Sequence, residues 1–152
     1  MNNLVKGTFF AVLLTTFLTS CNKDQSCINK LDGTWEVTDG KTTKNGTEVV
    51  DTTQSDAKVT YTFSKFKLKD EDEGSLSIKT VATTPVSINT TTSAKYKVSD
   101  KCDKFWWSVS DTTTTDDITA DISSLSSKKF EYTYSQTIGS DNYEYTVILE
   151  KQ

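Results

Sequence analysis

Three thiols, Cys21, Cys27 and Cys102, are the most reactive groups in this 152-residue chain, which contains no histidine. A thiol can be acylated, oxidised to a disulfide or bound to a metal, and the rest of the composition narrows that choice. Tetrahedral zinc takes four ligands from Cys, His or carboxylate, and without His the three thiols make a poor set. The lack of His also removes the commonest general base near neutral pH. All 17 basic residues are Lys. The planar guanidinium that grips phosphates and carboxylates with paired bonds is therefore missing as well. Most familiar hydrolase, phosphotransferase and metalloenzyme sites are excluded on these grounds. An enzyme would have to work with Asp, Glu, Tyr, Ser or Lys, for example two carboxylates flanking a glycosidic bond, and no spacing singles out such a pair. The expectation is a protein without catalytic residues, cofactor or bound metal.

The surroundings of Cys21 point to acylation. Lys6 gives a positive start, Phe9 to Leu18 a short apolar run, and Leu18-Thr19-Ser20-Cys21 a small-residue cleavage site. This arrangement resembles the lipobox of bacterial lipoprotein precursors. The resemblance implies cleavage before Cys21, diacylglycerol on its thiol, and anchoring in the outer membrane on its periplasmic or cell-surface side. An ordinary secretory signal followed by a chance Cys is the alternative. The apolar run is well short of the roughly 20 residues that span a bilayer. Removing residues 1–20 from 152 leaves 132, enough for one domain with one core. The mature chain has 16 Lys against 21 acidic groups, a net charge near −5, which disfavours nucleic acid. With Cys21 acylated, Cys27 and Cys102 remain as an even pair in an oxidising compartment, where a disulfide persists. Two free thiols are the other possibility.

The elements that position these groups are strands. Residues 21–30 are mostly polar and read as a lipidated tether with a clasp at Cys27. From residue 31 to 152 apolar residues recur with period two: Trp35 and Val37; Val59, Tyr61 and Phe63; Leu76 and Ile78; Val86 to Val98. The rule continues through Phe105, Trp107 and Val109, then Ile118, Ala120 and Ile122, then Phe130, Tyr132 and Tyr134, and finally Tyr143, Tyr145, Val147 and Leu149. Such alternation argues half-buried antiparallel strands. Asp39-Gly40, Asn45-Gly46, Glu73-Gly74 and Gly139 to Asn142 read as turns, and Pro85 stands at the mouth of the long strand. The fold class expected is all-β, an antiparallel up-and-down barrel of about eight strands, with a two-sheet sandwich as the competing closure.

Leu31-Asp32-Gly33-Thr34-Trp35-Glu36-Val37 resembles the Gly-x-Trp opening of lipocalin-like domains, in which the Trp packs across the barrel base. Ile118 to Leu125 followed by Lys129-Phe130-Glu131-Tyr132 resembles the late strands of lipocalin-like lipoproteins of the Bacteroidetes type. The chain has neither a Thr-Asp-Tyr motif nor a late Arg to stack on Trp35, so the resemblance is to the looser calycin-like barrels. The expectation is a monomeric envelope domain that binds a small apolar or glycan ligand or docks another envelope protein, with a non-enzymatic structural or protein-interaction domain with a filled barrel as the alternative. Lys23-Asp24 resembles the acidic signal for surface export but lacks a second adjacent acid, which leaves both membrane faces open.

Four groups of residues are candidates for contact with a ligand or modification. Tyr61, Tyr96, Trp107, Tyr132, Tyr134, Tyr143 and Tyr145 face inward by parity and either line a cavity or fill the barrel. Trp106 has the opposite parity to Trp107 and is a surface aromatic, either a sugar-stacking platform or a single exposed ring. Asp70-Glu71-Asp72-Glu73 offers oxygens for calcium without the spacing of a full calcium loop, and reads as a solvated turn. Asp51-Thr52-Thr53 and Asp111-Thr112-Thr113 resemble the O-glycosylation sequon of exported Bacteroidetes proteins, with Thr52 and Thr112 as acceptors.

Overall fold

The computed structural model describes residues 23–49, 56–68, 72–84, 86–99, 101–109 and 118–152. Cys21, Thr52, Thr112, Asp70, Glu71 and Pro85 lie outside those residues. Among these residues one helix, α1 (Lys23–Leu31), precedes nine strands: β1 (Gly33–Lys44), β2 (Thr47–Val49), β3 (Lys58–Phe63), β4 (Gly74–Ala82), β5 (Ile88–Val98), β6 (Lys104–Val109), β7 (Ile118–Leu125), β8 (Lys129–Ile138) and β9 (Asp141–Lys151).

All neighbours are antiparallel, in the order β2-β1-β3-β4-β5-β6-β7-β8-β9, and β1 also pairs with β9. That last pairing, from Trp35 opposite Lys151 to Lys44 opposite Tyr143, closes an eight-stranded barrel and leaves β2 as an extra strand. Closure removes the edges that an open sheet of this size would expose. The lower half of β1 pairs with β3 from Gly33 to Glu36, whereas its upper half pairs with β2 from Thr42 to Lys44. Asn45 and Gly46, with φ of 51° and 81°, give the two positive values that a tight β1–β2 hairpin requires. Gly139, at φ 65°, starts the two-residue β8–β9 turn. Asp39-Gly40 is not a turn. It sits inside β1 just past a bulge between Val37 and Asp39, and the carboxylate of Asp39 accepts a bond from the Gly40 amide at 2.8 Å.

The strand directions give the barrel two unlike ends. The base is packed. Trp35, Phe63, Phe66, Leu76, Tyr96, Phe105, Phe130 and Leu149 are buried there, and Phe63 lies within 6.1 Å of the rings of Tyr96, Phe105 and Phe130. Gly74 makes room for this cluster, since an added Cβ would sit 2.2 Å from the Tyr96 ring and 2.7 Å from Phe66.

The expected tether at residues 21–30 needs correction. Residues 23–31 form α1, whose Cys27, Ile28 and Leu31 share one face and are fully buried against the base. Three apolar residues at spacings of one and four are enough to fix a short helix once a core is there to receive them. The Gln25 amide holds the 66–68 loop, donating to the Phe66 carbonyl at 3.0 Å. The expected Cys27–Cys102 disulfide is present, with Cα atoms 5.8 Å apart, and it ties α1 to the β5–β6 turn.

Trp35 lies across the base as expected. Its indole N–H donates to the Leu31 carbonyl at 2.6 Å, and its ring meets Phe130 edge-on at 6.2 Å. The chain has no Arg to cover this ring, and Lys151 does so instead. Its ammonium sits 5.1 Å from the ring centre and donates to the Lys30 carbonyl at 2.9 Å.

Candidate functional site

Cross-strand register assembles the inward aromatic residues into two groups. Tyr61, Tyr96, Trp107 and Tyr132 are buried and fill the lower lumen. The tyrosine hydroxyls are occupied: that of Tyr132 donates to the Tyr61 hydroxyl at 3.0 Å, and that of Tyr96 to the Ser64 carbonyl at 3.1 Å. Trp107 lies on Phe105 with ring centres 4.9 Å apart and meets Tyr132 edge-on at 5.6 Å.

Tyr134, Tyr143 and Tyr145 are only partly buried and form a ladder rising from that floor. Tyr134 packs edge-on to Trp107 at 5.3 Å, Tyr145 stacks on Tyr134 at 4.7 Å, and Tyr143 follows Tyr145 at 6.3 Å. The β8–β9 register sets Tyr145 directly opposite Tyr134. Val59, Ile78, Ile118 and Val147 join them as partly buried apolar residues packed on the core. Among the described residues, the large hydrophobic side chains that are exposed are Val49, Val86, Val109 and Ile138, and by strand direction all four lie toward the end opposite the packed base.

Lys44 stands at the top of the ladder. Its ammonium is 5.7 Å from the Tyr143 ring centre and 2.7 Å from the Asp141 carboxylate, which also accepts a bond from the Asn45 side chain at 2.9 Å. The bond and charge of Asp141 raise the Lys44 pKa, and the reverse effect lowers that of Asp141. Sequence parity missed Lys44, because the β1 bulge resets which residues face inward, and only the pairing with Tyr143 shows it.

Burial raises the pKa of Tyr61, Tyr96 and Tyr132, and pushes Tyr134 up to about 12. These hydroxyls therefore stay protonated at neutral pH and act as hydrogen-bonding groups, not as bases. An unfolded tyrosine ionises near pH 10. Since the folded values are higher, the unfolded chain releases these protons first, so this contribution to stability is intact below about pH 10 and is lost as pH rises through the folded values. We expect the denaturant midpoint to fall steeply between about pH 10 and 12, with tyrosinate absorbance lagging in folded protein and appearing in full on unfolding.

Trp106 faces outward, as parity expects, and is half-buried. Register places it between Lys97 on β5 and Thr119 on β7. With Glu73, Lys95, Lys97 and Ser108 it borders a hollow of about 290 Å³ in the barrel wall. Glu73, from the acidic run, is held by Lys97 at 3.0 Å. Among the described residues, no group of three or more His, Cys, Asp or Glu is arranged to hold a metal ion, and no helix is long and apolar enough to cross a membrane. No protein-family model matches the chain, and no curated protein is significantly similar to it.

Proposed function

We propose that this chain is a lipid-anchored outer-membrane binding module that takes a small amphipathic ligand, apolar part first, into the wide half of its barrel. The observation that carries this reading is the partly buried ladder of Tyr134, Tyr145 and Tyr143 above a closed aromatic floor. Apolar walls with a few polar groups near one end suit a ligand with an apolar body and a polar head. Lys44 and the Tyr143 hydroxyl supply the polar end, and Val109 and Ile138 an apolar rim. The anchor rests on the sequence run that ends at Cys21. The role is binding and not catalysis, in keeping with the lack of His and Arg.

A filled-barrel interaction domain is the second reading. It is favoured by the complete burial of Tyr96 and Tyr132 in the lower lumen.

The test uses the full chain isolated from bacterial envelopes. Its intact mass should correspond to a start at Cys21 plus diacylglycerol. Titration with the fluorescent fatty acid cis-parinarate should saturate at one site and weaken about tenfold or more in Thr92→Trp, which adds bulk opposite Ile78 on the inner face. Absence of saturable binding would leave the filled-barrel reading.

A further inference from the structure

The outer wall of β3 to β6 differs in charge from the rest of the molecule. The chain holds 21 acidic residues against 17 basic, yet these four consecutive strands contain no Asp or Glu. They carry Lys58, Lys79, Lys95, Lys97 and Lys104. The strand carboxylates all sit on the other five strands: Glu36 and Asp39 on β1, Glu48 on β2, Asp121 on β7, Glu131 on β8, and Asp141, Glu144 and Glu150 on β9. Lys58, Lys97 and Lys104 borrow partners from outside the four strands, namely Glu36, Glu73 and Asp121. Lys79 and Lys95 make no ion pair among the described residues.

Register arranges this wall in rows. Lys95 lies between Ser75 on β4 and Ser108 on β6, and in the next row Lys97 lies between the start of β4 and Trp106. On the other side of Lys95, Ser93 pairs with Ser77, which pairs with Thr62. Lys95 borders three hollows: the one beside Trp106, another of about 350 Å³ lined by Thr62, Ser64, Ser75, Ser77 and Ser93, and a third of about 380 Å³ that it shares with Lys97, Asp72 and Glu73. One indole, a lysine that makes no ion pair among the described residues and two rows of hydroxyls thus share a continuous surface, with Asp72 and Glu73 at its border.

We propose that this wall binds an acidic saccharide chain, with a sugar ring on Trp106, its hydroxyls on the serine rows and its carboxylate or sulfate on Lys95. Charge complementarity selects an acidic ligand on a molecule that is otherwise negative. An acidic peptide fits less well, because an extended peptide docks on an unpaired strand edge and each of β3 to β6 is paired on both sides. Nucleic acid is disfavoured by the net charge and the absence of Arg. This site is separate from the wide end of the barrel, so either proposal can fail without the other.

The test is calorimetric titration of the full chain at low salt with oligogalacturonate, a heparin oligosaccharide and oligosialate, against neutral malto-oligosaccharide and poly-glutamate. At least one acidic saccharide should bind saturably, bind more weakly as salt rises, and lose about tenfold in affinity in both Trp106→Ala and Lys95→Gln. Lys95 is exposed, so Lys95→Gln keeps the test valid if Trp106→Ala folds poorly. The proposal is overturned if none of the three acidic saccharides binds, if poly-glutamate binds equally well, or if Lys95→Gln leaves the affinity unchanged. Thr92→Trp should leave this binding intact.

Discussion

Trp35→Ala is expected to lower the free energy of unfolding by about 3–5 kcal/mol, the range for deleting a large aromatic side chain from a packed core. Trp35 is fully buried and joins three parts of the chain. Its N–H holds the last carbonyl of α1, its ring makes an edge-to-face contact with Phe130 on β8, and Lys151 at the end of β9 lies over the ring. Truncation would leave a cavity, an unpartnered Leu31 carbonyl and a lysine without its ring. For a domain of this size the loss corresponds to a fall in Tm of roughly 10–15 °C. Trp35→Phe should be milder, since it restores most of the volume but not the hydrogen bond. Denaturant unfolding followed by circular dichroism gives both values. A midpoint unchanged in Trp35→Ala would remove this residue from the account of how the base is held.

Loss of the Cys27–Cys102 bridge comes next. The two residues are 75 apart in sequence, and by loop entropy a cross-link of that span stabilises by roughly 4 kcal/mol. The bridge also fixes the one helix to the barrel wall. The double variant Cys27→Ser/Cys102→Ser should therefore unfold at a clearly lower denaturant concentration. Hydrogen exchange should quicken first in α1 and the 99–104 turn, before the strands of the barrel. Because Cys27 is completely buried, reductant should act on the folded protein slowly, through opening of that end. Uniform loss of protection across all strands would show that α1 and the barrel unfold as one unit.

The strand pattern was legible because each strand has one face in the core. Parity located all eight barrel strands, the Asn45-Gly46 and Gly139 turns, and the opposed faces of Trp106 and Trp107. It did not locate β2, whose three residues are too few to show a period. Asp39-Gly40 has the composition of a turn, yet β9 pairs straight through it and turns it into a bulged strand. The helix was hidden for a similar reason. Cys27, Ile28 and Leu31 are the buried residues among the described side chains of Lys23–Leu31, so its signal becomes visible only when the barrel base is there to cover them. Parity placed six tyrosines and Trp107 on one face but carried no information on depth. Depth depends on which end of the barrel each residue occupies, and that divides Tyr61, Tyr96, Trp107 and Tyr132 from Tyr134, Tyr143 and Tyr145. The lysine wall was present in the sequence as a stretch of four acid-free strands, but it becomes a surface only when register sets those strands side by side.

The place of α1 at the plugged end fixes how an anchored molecule would stand. Cys21 precedes the first residue of α1 by two positions, and two extended residues span at most about 7 Å. For a chain held by lipid on Cys21, the helix end would rest on the bilayer like the foot of a goblet. The end that carries the tyrosine ladder would face away from it. Any pull on the lipid would enter through the helix that the disulfide rivets to the wall, so the foot could not peel off while that bridge stayed whole. The ligand proposed above would then be drawn from the space the molecule faces, and not from the lipid leaflet that holds it.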